Sequence, residues 1–427
     1  MSAIPVSGKK VTILGLGVSG FETAIFLKEK GFSVFVTELS QTAEVTKRAC
    51  LLQDAGVNVE TGKHDFQRIL NSDWMMISPG IPPASELYQR AIASGKPVLS
   101  EIEVASWVCP TKKIIGVTGT CGKTTTVTLI SRVLNAQFGK TVCCGNIGNP
   151  WIGEMKKITP EHFVVVEISS FQLAHCLTFK PFIGILLNLS ANHQDWHPDM
   201  ADYAAAKLKM FENQDENNFA IYREVDREVY FPFFSFKAQE EIFGRDKIQN
   251  PNEEVVRLTA KITGCSSEVT EKVLSTFEGV EHRLEKFHEA SGVQFINDSK
   301  CTTTASLGWA LSKFSDKKVI LIAGGHPKSN DFHLVKDLIR QKVKRAILIG
   351  EAEPLLCQEW EGLCPITSGG MNFDRALESA VRSAANGDIV LLSPACASFD
   401  MFKNYIERGK LFKQKILELT SHHAPIT

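Results

Sequence analysis

Val117-Thr118-Gly119-Thr120-Cys121-Gly122-Lys123-Thr124-Thr125-Thr126 sets a buried strand, a glycine turn and a helix start in series. Ile114 and Ile115 lead in as an apolar run, and Val127, Leu129, Ile130, Val133 and Leu134 then recur at helical spacing. Gly119 and Gly122 allow a tight turn with inward-pointing N–H groups, Lys123 adds a cation, and Thr124 offers a hydroxyl to Mg2+. This is a triphosphate cradle, with Gly119, Thr120, Cys121, Gly122, Lys123, Thr124 and Thr125 as its ATP-contacting positions. The general nucleotide loop reads G-x-x-x-x-G-K-S/T; Val117 stands where its first glycine would be, so this is a shorter variant.

Around the loop, the chain of 427 residues is long enough for about three domains. Apolar runs at residues 11–14, 34–37 and 74–78 alternate with helical patterns and predict a Rossmann-like α/β domain over residues 1–101. Residues 102–279 hold the phosphate loop and buried-strand runs at 163–168 and 182–189, a central P-loop-type ATPase domain. Residues 280–427 repeat the alternation, with strands at 293–296, 319–323, 346–349 and 389–392, a second Rossmann-like domain. Between residues 213 and 264 charge, aromatics and turn residues mix without a period, and the stretch is assigned to the periphery of the central domain.

Lys plus Arg number 47 and Asp plus Glu 48, so no global basic field favours nucleic acid or an anionic membrane. No apolar run approaches the ~20 residues of a membrane span, and no cationic, apolar signal sequence opens the chain. Eleven scattered cysteines without zinc spacing suit reduced thiols in a cytoplasmic protein. A monomer is expected.

Gly15-Leu16-Gly17-Val18-Ser19-Gly20 follows a strand and opens a helix, with Glu38 ending the next strand. By pattern this is a dinucleotide fingerprint, as in a nicotinamide or flavin enzyme, but its helix N-terminus can hold any diphosphate, including that of a UDP-sugar. Ser78-Pro79-Gly80 ends a later strand and is either a further anchor or an ordinary turn. In the central domain, Glu167 closes an apolar strand and begins Glu167-Ile168-Ser169-Ser170-Phe171-Gln172. A carboxylate at that strand edge faces the phosphate loop, where Mg2+ needs hard oxygens. The loop Asn192-His193-Gln194-Asp195-Trp196-His197 suggests a second metal position at His193. Spacing alone makes Lys207, in Tyr203-Ala204-Ala205-Ala206-Lys207, a solvated lysine.

In the last domain, Asn297-Asp298-Ser299-Lys300-Cys301-Thr302, Gly324-Gly325-His326-Pro327-Lys328 and Ser393-Pro394-Ala395-Cys396-Ala397-Ser398-Phe399-Asp400 each follow a strand and share one carboxyl edge. With Arg283, the cations Lys300 and Lys328 suit a small dicarboxylate or a transferring phosphoryl group. A dehydrogenase using Gly15 to Gly20 and a nucleotide-gated binding protein are the rival readings.

The ordered set of residues 118–124, 167–172, the His193 loop, 205–208, His282-Arg283, 297–302 and 393–400 resembles the Mur ligases, ATP-dependent amide-forming ligases of peptidoglycan precursor synthesis. The resemblance runs over all three domains. It implies that the substrate carboxylate is phosphorylated by ATP and that an amine then displaces phosphate. It implies catalytic roles for Lys123, His193 and Lys207, with two Mg2+ ions at Thr124, Glu167 and His193. Lys207 matches a carbamylated lysine that serves as a further metal ligand. Asn252, Arg283, Asp298 and Lys300 match nucleotide-contacting positions. Ser19, Glu38 and Ser78 would receive the UDP end, and Asn146 and Ser169 the muramoyl-alanine part, of UDP-N-acetylmuramoyl-L-alanine. Thr302, Lys328, Ser398, Phe399 and Tyr405 would surround D-glutamate, which the absence of an Asp-Asn-Pro-Arg signature favours over diaminopimelate or lysine. Three positions depart from the family pattern: Gln249 replaces an asparagine near the adenine site, Cys121 replaces the loop asparagine, and His326 stands where aspartate is common.

Overall fold

Each apolar run read above carries a strand of a parallel sheet in the computed structural model, which describes residues 9–146, 148–190, 196–245, 250–277, 279–327 and 331–421. The chain divides into two compact units, Met1–Phe277 and Glu278–Thr427. The first unit contains two sheets and the second contains one.

The first sheet comprises β1 (Lys10–Leu14), β2 (Ser33–Glu38), β3 (Asn58–Thr61), β4 (Trp74–Ile77) and β5 (Val98–Leu99), in the order β3-β2-β1-β4-β5. All its pairings are parallel, with Leu14 opposite both Thr37 and Ile77. From β1 the chain crosses to one side and later returns to the other at β4, which opens a crevice at the carboxyl edge between them.

The second sheet comprises β6 (Ile114–Thr118), β7 (Thr141–Gly145), β8 (Phe163–Glu167), β9 (Ile183–Leu186), β10 (Phe219–Arg223) and β11 (Gln239–Phe243), ordered β11-β10-β9-β6-β8-β7 and parallel throughout. Its central strands are buried along their length, as helices on both faces of a parallel sheet require. The unperiodic stretch between residues 213 and 264 is more than periphery. It supplies β10, where Ala220, Ile221 and Tyr222 are fully buried, then β11 and the helix Pro251–Thr263. A strand covered on both faces has no alternation to display, and that hid β10. The helix had its signals: Asn250 caps it, Pro251 opens it and Gly264 ends it at φ 77.

The second unit holds β12 (Glu285–Ala290), β13 (Val293–Asn297), β14 (Val319–Gly324), β15 (Val343–Ile349), β16 (Ile366–Gly370) and β17 (Ile389–Leu392), ordered β12-β13-β17-β14-β15-β16. Only β12 runs antiparallel among these. Because β13, β17 and β14 are neighbours, the three loops singled out in the sequence leave adjacent strands at one edge. Among the described residues no helix is long and apolar enough to cross a membrane. All 11 cysteines are free.

Candidate active site

The phosphate loop leaves β6 and turns at Gly119 (φ 147) and Gly122 (φ 85), backbone angles that a side chain would strain. The helix Lys123–Phe138 starts immediately after it. Asn188, just past the neighbouring β9, holds the turn open: its carbonyl accepts the N–H of Thr120 at 3.0 Å, its Oδ1 accepts the N–H of Cys121 at 2.8 Å, and its Nδ2 donates to the Cys121 carbonyl at 3.0 Å. Thr120 Oγ1 adds contacts to Tyr203 Oη at 3.2 Å and to the Ser190 N–H at 3.1 Å. Lys123 folds back so that Nζ donates to the carbonyls of Gly119 (2.7 Å) and Thr120 (3.0 Å). The cradle is therefore shaped by Asn188, in the loop after β9, and by Tyr203 of the helix Met200–Leu208 as much as by its own glycines.

Glu167 is 2% exposed, so it is no solvated strand end. Its Oε2 accepts from Thr124 Oγ1 at 2.8 Å and its Oε1 from Asn146 Nδ2 at 2.9 Å, which joins the ends of β7 and β8 to the first turn of the helix after the phosphate loop. Ser169 caps the next short helix reciprocally with Gln172. Asn252 meets the loop from another side: a Cβ built on Gly122 would lie 2.7 Å from its Oδ1.

Lys207 reverses the reading from spacing, because it is 1% exposed. Its Nζ donates to Thr118 Oγ1 at 3.2 Å and to the Gly119 carbonyl at 3.1 Å, and lies 4.6 Å from the centre of the Tyr203 ring. Burial, followed by the nearby Lys123 charge, holds this amine well below its ordinary range. His197 is also buried, and its two nitrogens are taken by Asp202 at 2.6 Å and Ser170 at 2.9 Å. It therefore pins two helices together. His193, Lys328 and Gln249 lie outside the described residues.

At the edge of the first sheet, Gly15, Ser19, Glu38 and Ser78 line one cavity of about 450 Å³. Ser78 Oγ donates to the Gly15 carbonyl at 3.2 Å. Glu38 is engaged by backbone: its oxygens accept the N–H groups of Leu16 and Ser40, both at 2.8 Å. The fingerprint glutamate thus fastens the glycine loop while bordering the cavity.

In the second unit, Asp298 is buried between Ser393 Oγ (2.7 Å) and the Leu284 N–H (3.2 Å), and burial pushes its carboxyl up to about 6. Lys300 Nζ lies 5.4 Å from the Tyr405 ring centre. Thr302 is half-buried, Ser398 is buried, and Phe399 is 70% exposed. His326 pairs with Glu351 at 2.6 Å and bridges to Ala397 through its backbone. Arg408, missed in the sequence, is fully buried and donates to the carbonyls of Ser299 (2.9 Å) and Cys396 (3.1 Å), tying two of the loops. His282, Leu284 and Ala395 take positive φ without being glycine, which concentrates backbone strain at this edge. Arg283 stands between the first two.

Models of the Mur ligase MurD-like N-terminal domain, the Mur ligase middle domain and the Mur ligase glutamate ligase domain match residues 9–100, 117–279 and 282–396. The chain belongs to the Mur ligase family. Among its Mur ligase relatives is the UDP-N-acetylmuramoylalanine--D-glutamate ligase of Salinibacter ruber, 35% identical over 97% of this chain and 99% of its own. The enzyme of the same name from Chlorobium limicola is 36% identical over 97% and 99%, and that of Aquifex aeolicus 34% over 95% and 98%. Solved Mur ligases share the fold: MurF of Thermotoga maritima, in complex with ADP, aligns at TM-score 0.59 over 98% of this chain and 97% of its own with 14% identity. MurC of the same organism aligns at 0.57 over 96% and 99%, also with 14% identity. Mur ligase membership sets aside the dehydrogenase and binding-protein readings, and Gly15 to Gly20 then opens the MurD-like N-terminal domain.

Proposed function

We propose that this Mur ligase joins D-glutamate to UDP-N-acetylmuramoyl-L-alanine, as the names of its relatives state for them, and that it does so at the expense of ATP. The observation that carries the reading is the meeting of Thr124, Glu167, Asn146 and Lys207 around one phosphate loop. We assign residues 1–101 to the UDP substrate, 102–279 to ATP and 280–427 to the amino acid, in a cytoplasmic monomer.

A carboxylate is a poor electrophile, and phosphorylating it turns one oxygen into a leaving group. The substrate carboxylate attacks the γ-phosphorus and expels ADP, and the glutamate amine then attacks the acyl phosphate to form a tetrahedral intermediate that loses the amine proton and expels inorganic phosphate. Lys123 swings from the loop carbonyls to the β- and γ-phosphates, where its charge offsets what gathers in the transition state. Arg283, Asp298, Lys300 and Asn252 take the rest of the nucleotide. Ser19, Glu38 and Ser78 border the UDP end, and Asn146 and Ser169 the muramoyl-alanine. Thr302, Lys328, Ser398, Phe399 and Tyr405 hold D-glutamate.

The Thr124 hydroxyl and the Glu167 carboxylate are hard oxygen donors 2.8 Å apart, a set that fits Mg2+. Mg2+ bound there would neutralise phosphate charge, and His193 with Lys207 would hold a second ion. Burial disfavours the charged amine, the neutral amine is the form nucleophilic toward CO2, and the carbamate formed would give Lys207 the oxygens it lacks. The test is phosphate release with ATP, Mg2+, UDP-N-acetylmuramoyl-L-alanine and each candidate amino acid in turn. Release with D-glutamate alone supports the reading; equal release with diaminopimelate or lysine would overturn it.

A further inference from the structure

Two N–H groups of the phosphate loop are taken by the protein itself. Those of Thr120 and Cys121 turn toward Asn188 and donate to its carbonyl at 3.0 Å and to its Oδ1 at 2.8 Å. The fastening begins as an ordinary parallel ladder: Leu186 lies opposite Thr118, the Leu187 N–H donates to the Thr118 carbonyl at 3.0 Å, and the Thr120 N–H returns to Asn188. Gly119 permits that approach, since a Cβ on it would lie 3.0 Å from the Leu187 Cβ and 3.3 Å from the Asn188 nitrogen, at φ 147.

At Cys121 the loop turns into the helix, and the next rung is made by a side chain. The Asn188 carboxamide accepts the Cys121 N–H and donates from Nδ2 to the Cys121 carbonyl at 3.0 Å. It stands in for a peptide group, offering one acceptor and one donor to a single residue. The flipped amide would set Nδ2 against an N–H and Oδ1 against a carbonyl, so this orientation is determined by its partners. Leu187 and Leu189, both buried, fix the backbone from which the side chain reaches.

Resting on the reading of this loop as the ATP site, we propose that Asn188 is a positioning residue for the nucleotide. It holds Cys121 at both backbone groups, so that the phosphates are met by the amides from Gly122 onward, where the helix opens, and not by those of Thr120 and Cys121. The Cys121 carbonyl, a dipole whose negative end would oppose a triphosphate, is turned to Nδ2 instead. A carboxylate at this position has no donor for that carbonyl, and an alanine has neither donor nor acceptor.

Calorimetric binding of MgATP to the full chain tests this, with Asn188→Ala and Asn188→Asp beside wild type. Asn188→Ala should weaken MgATP by roughly tenfold or more, the scale of losing the hydrogen bonds that preorganise a loop, and should leave the KM for the UDP substrate within about twofold of wild type. Asn188→Asp gives the sharper outcome. Ionised, its side chain cannot donate to the Cys121 carbonyl and brings a negative charge to the triphosphate; protonated, it regains an O–H donor. Bound triphosphate raises the range in which that carboxyl holds its proton, so the deficit against wild type should shrink as pH falls from about 8 to about 5, the titration of ATP itself cancelling in the ratio. A side chain that only filled space would give a ratio independent of pH. Unchanged MgATP affinity in an Asn188→Ala variant that melts like wild type would overturn the proposal. If that variant melts early, the near-isosteric Asn188→Asp decides alone, and a pH-independent ratio overturns the proposal. Failure of wild type to bind MgATP at all would instead overturn the assignment of the loop, and the proposal with it.

Discussion

Lys207 Nζ donates to Thr118 Oγ1 at 3.2 Å, linking a helix residue to the last residue of the strand that launches the phosphate loop. A buried lysine whose amine donates to a hydroxyl and a carbonyl is an expensive arrangement unless the amine is neutral or modified. Lys207→Ala should reduce turnover by roughly a hundredfold or more, a scale typical of losing one preorganised charged group. If a carbamate acts there, millimolar short carboxylates such as acetate should restore part of the rate; no rescue at any concentration counts against the carbamate.

Lys123→Ala removes the cation that lies on the Gly119 and Thr120 carbonyls and is assigned to the transferring phosphoryl group. The expected loss is in kcat, by roughly a hundredfold or more, with folding intact because the side chain donates to carbonyls of its own loop. Steady-state phosphate release checks it, and near-normal rates would refute the role.

Cys121 sits in the phosphate loop with intermediate exposure. A bulky group on its sulfur would occupy space that a triphosphate needs, so alkylation should inactivate, and MgATP should protect. Cys50 and Cys143 are the exposed thiols, which makes Cys121→Ala the necessary control. Equal sensitivity of that variant to the reagent would place the damage elsewhere.

Glu101 is 2% exposed, and burial pushes its carboxyl up from 4.5 to about 7, against the Ile152 N–H that donates to Oε1 at 2.6 Å. The folded state keeps a proton that the unfolded chain loses above its own value. Stability should therefore fall as pH rises from about 4.5 to about 7. Glu101→Gln mimics the protonated form: it should flatten that slope and, above pH 7, raise stability by up to about 3 kcal/mol. Urea midpoints at a series of pH values decide it, and parallel profiles would show that Glu101 does not titrate in this way.

Glu103 is buried with its oxygens accepting from Trp107 Nε1 at 3.0 Å and the N–H groups of Leu177 (3.1 Å), Thr178 (2.8 Å) and Phe179 (3.0 Å). Glu103→Ala would strand those donors and should cost about 3 kcal/mol or more, measured as a lower urea midpoint. A change within about 0.5 kcal/mol would mean that water replaces the carboxylate.

The most apolar strands and the phosphate loop were legible because a chemical pattern and a burial pattern coincide there, as in Ile114 to Lys123. Lys207 was not. Periodicity along one helix cannot report that Thr118 receives that amine, since this wall is built from another strand. Glu38 fitted its motif, but a sequence does not show that its carboxylate oxygens accept the N–H groups of Leu16 and Ser40. Arg408 left no local signal at all: it ties Ser299 to Cys396, two residues brought close by the fold.

Asn146 is joined to Glu167 twice, by its side chain at 2.9 Å and by its N–H to the Glu167 carbonyl at 2.8 Å. One residue is assigned to the acceptor substrate and the other to the metal, so the two ligands press on a single mechanical part. Thermodynamic reciprocity then makes a demand that no single-ligand titration can reveal: whatever factor the muramoyl substrate applies to Mg2+ affinity, Mg2+ must apply to the substrate in equal measure.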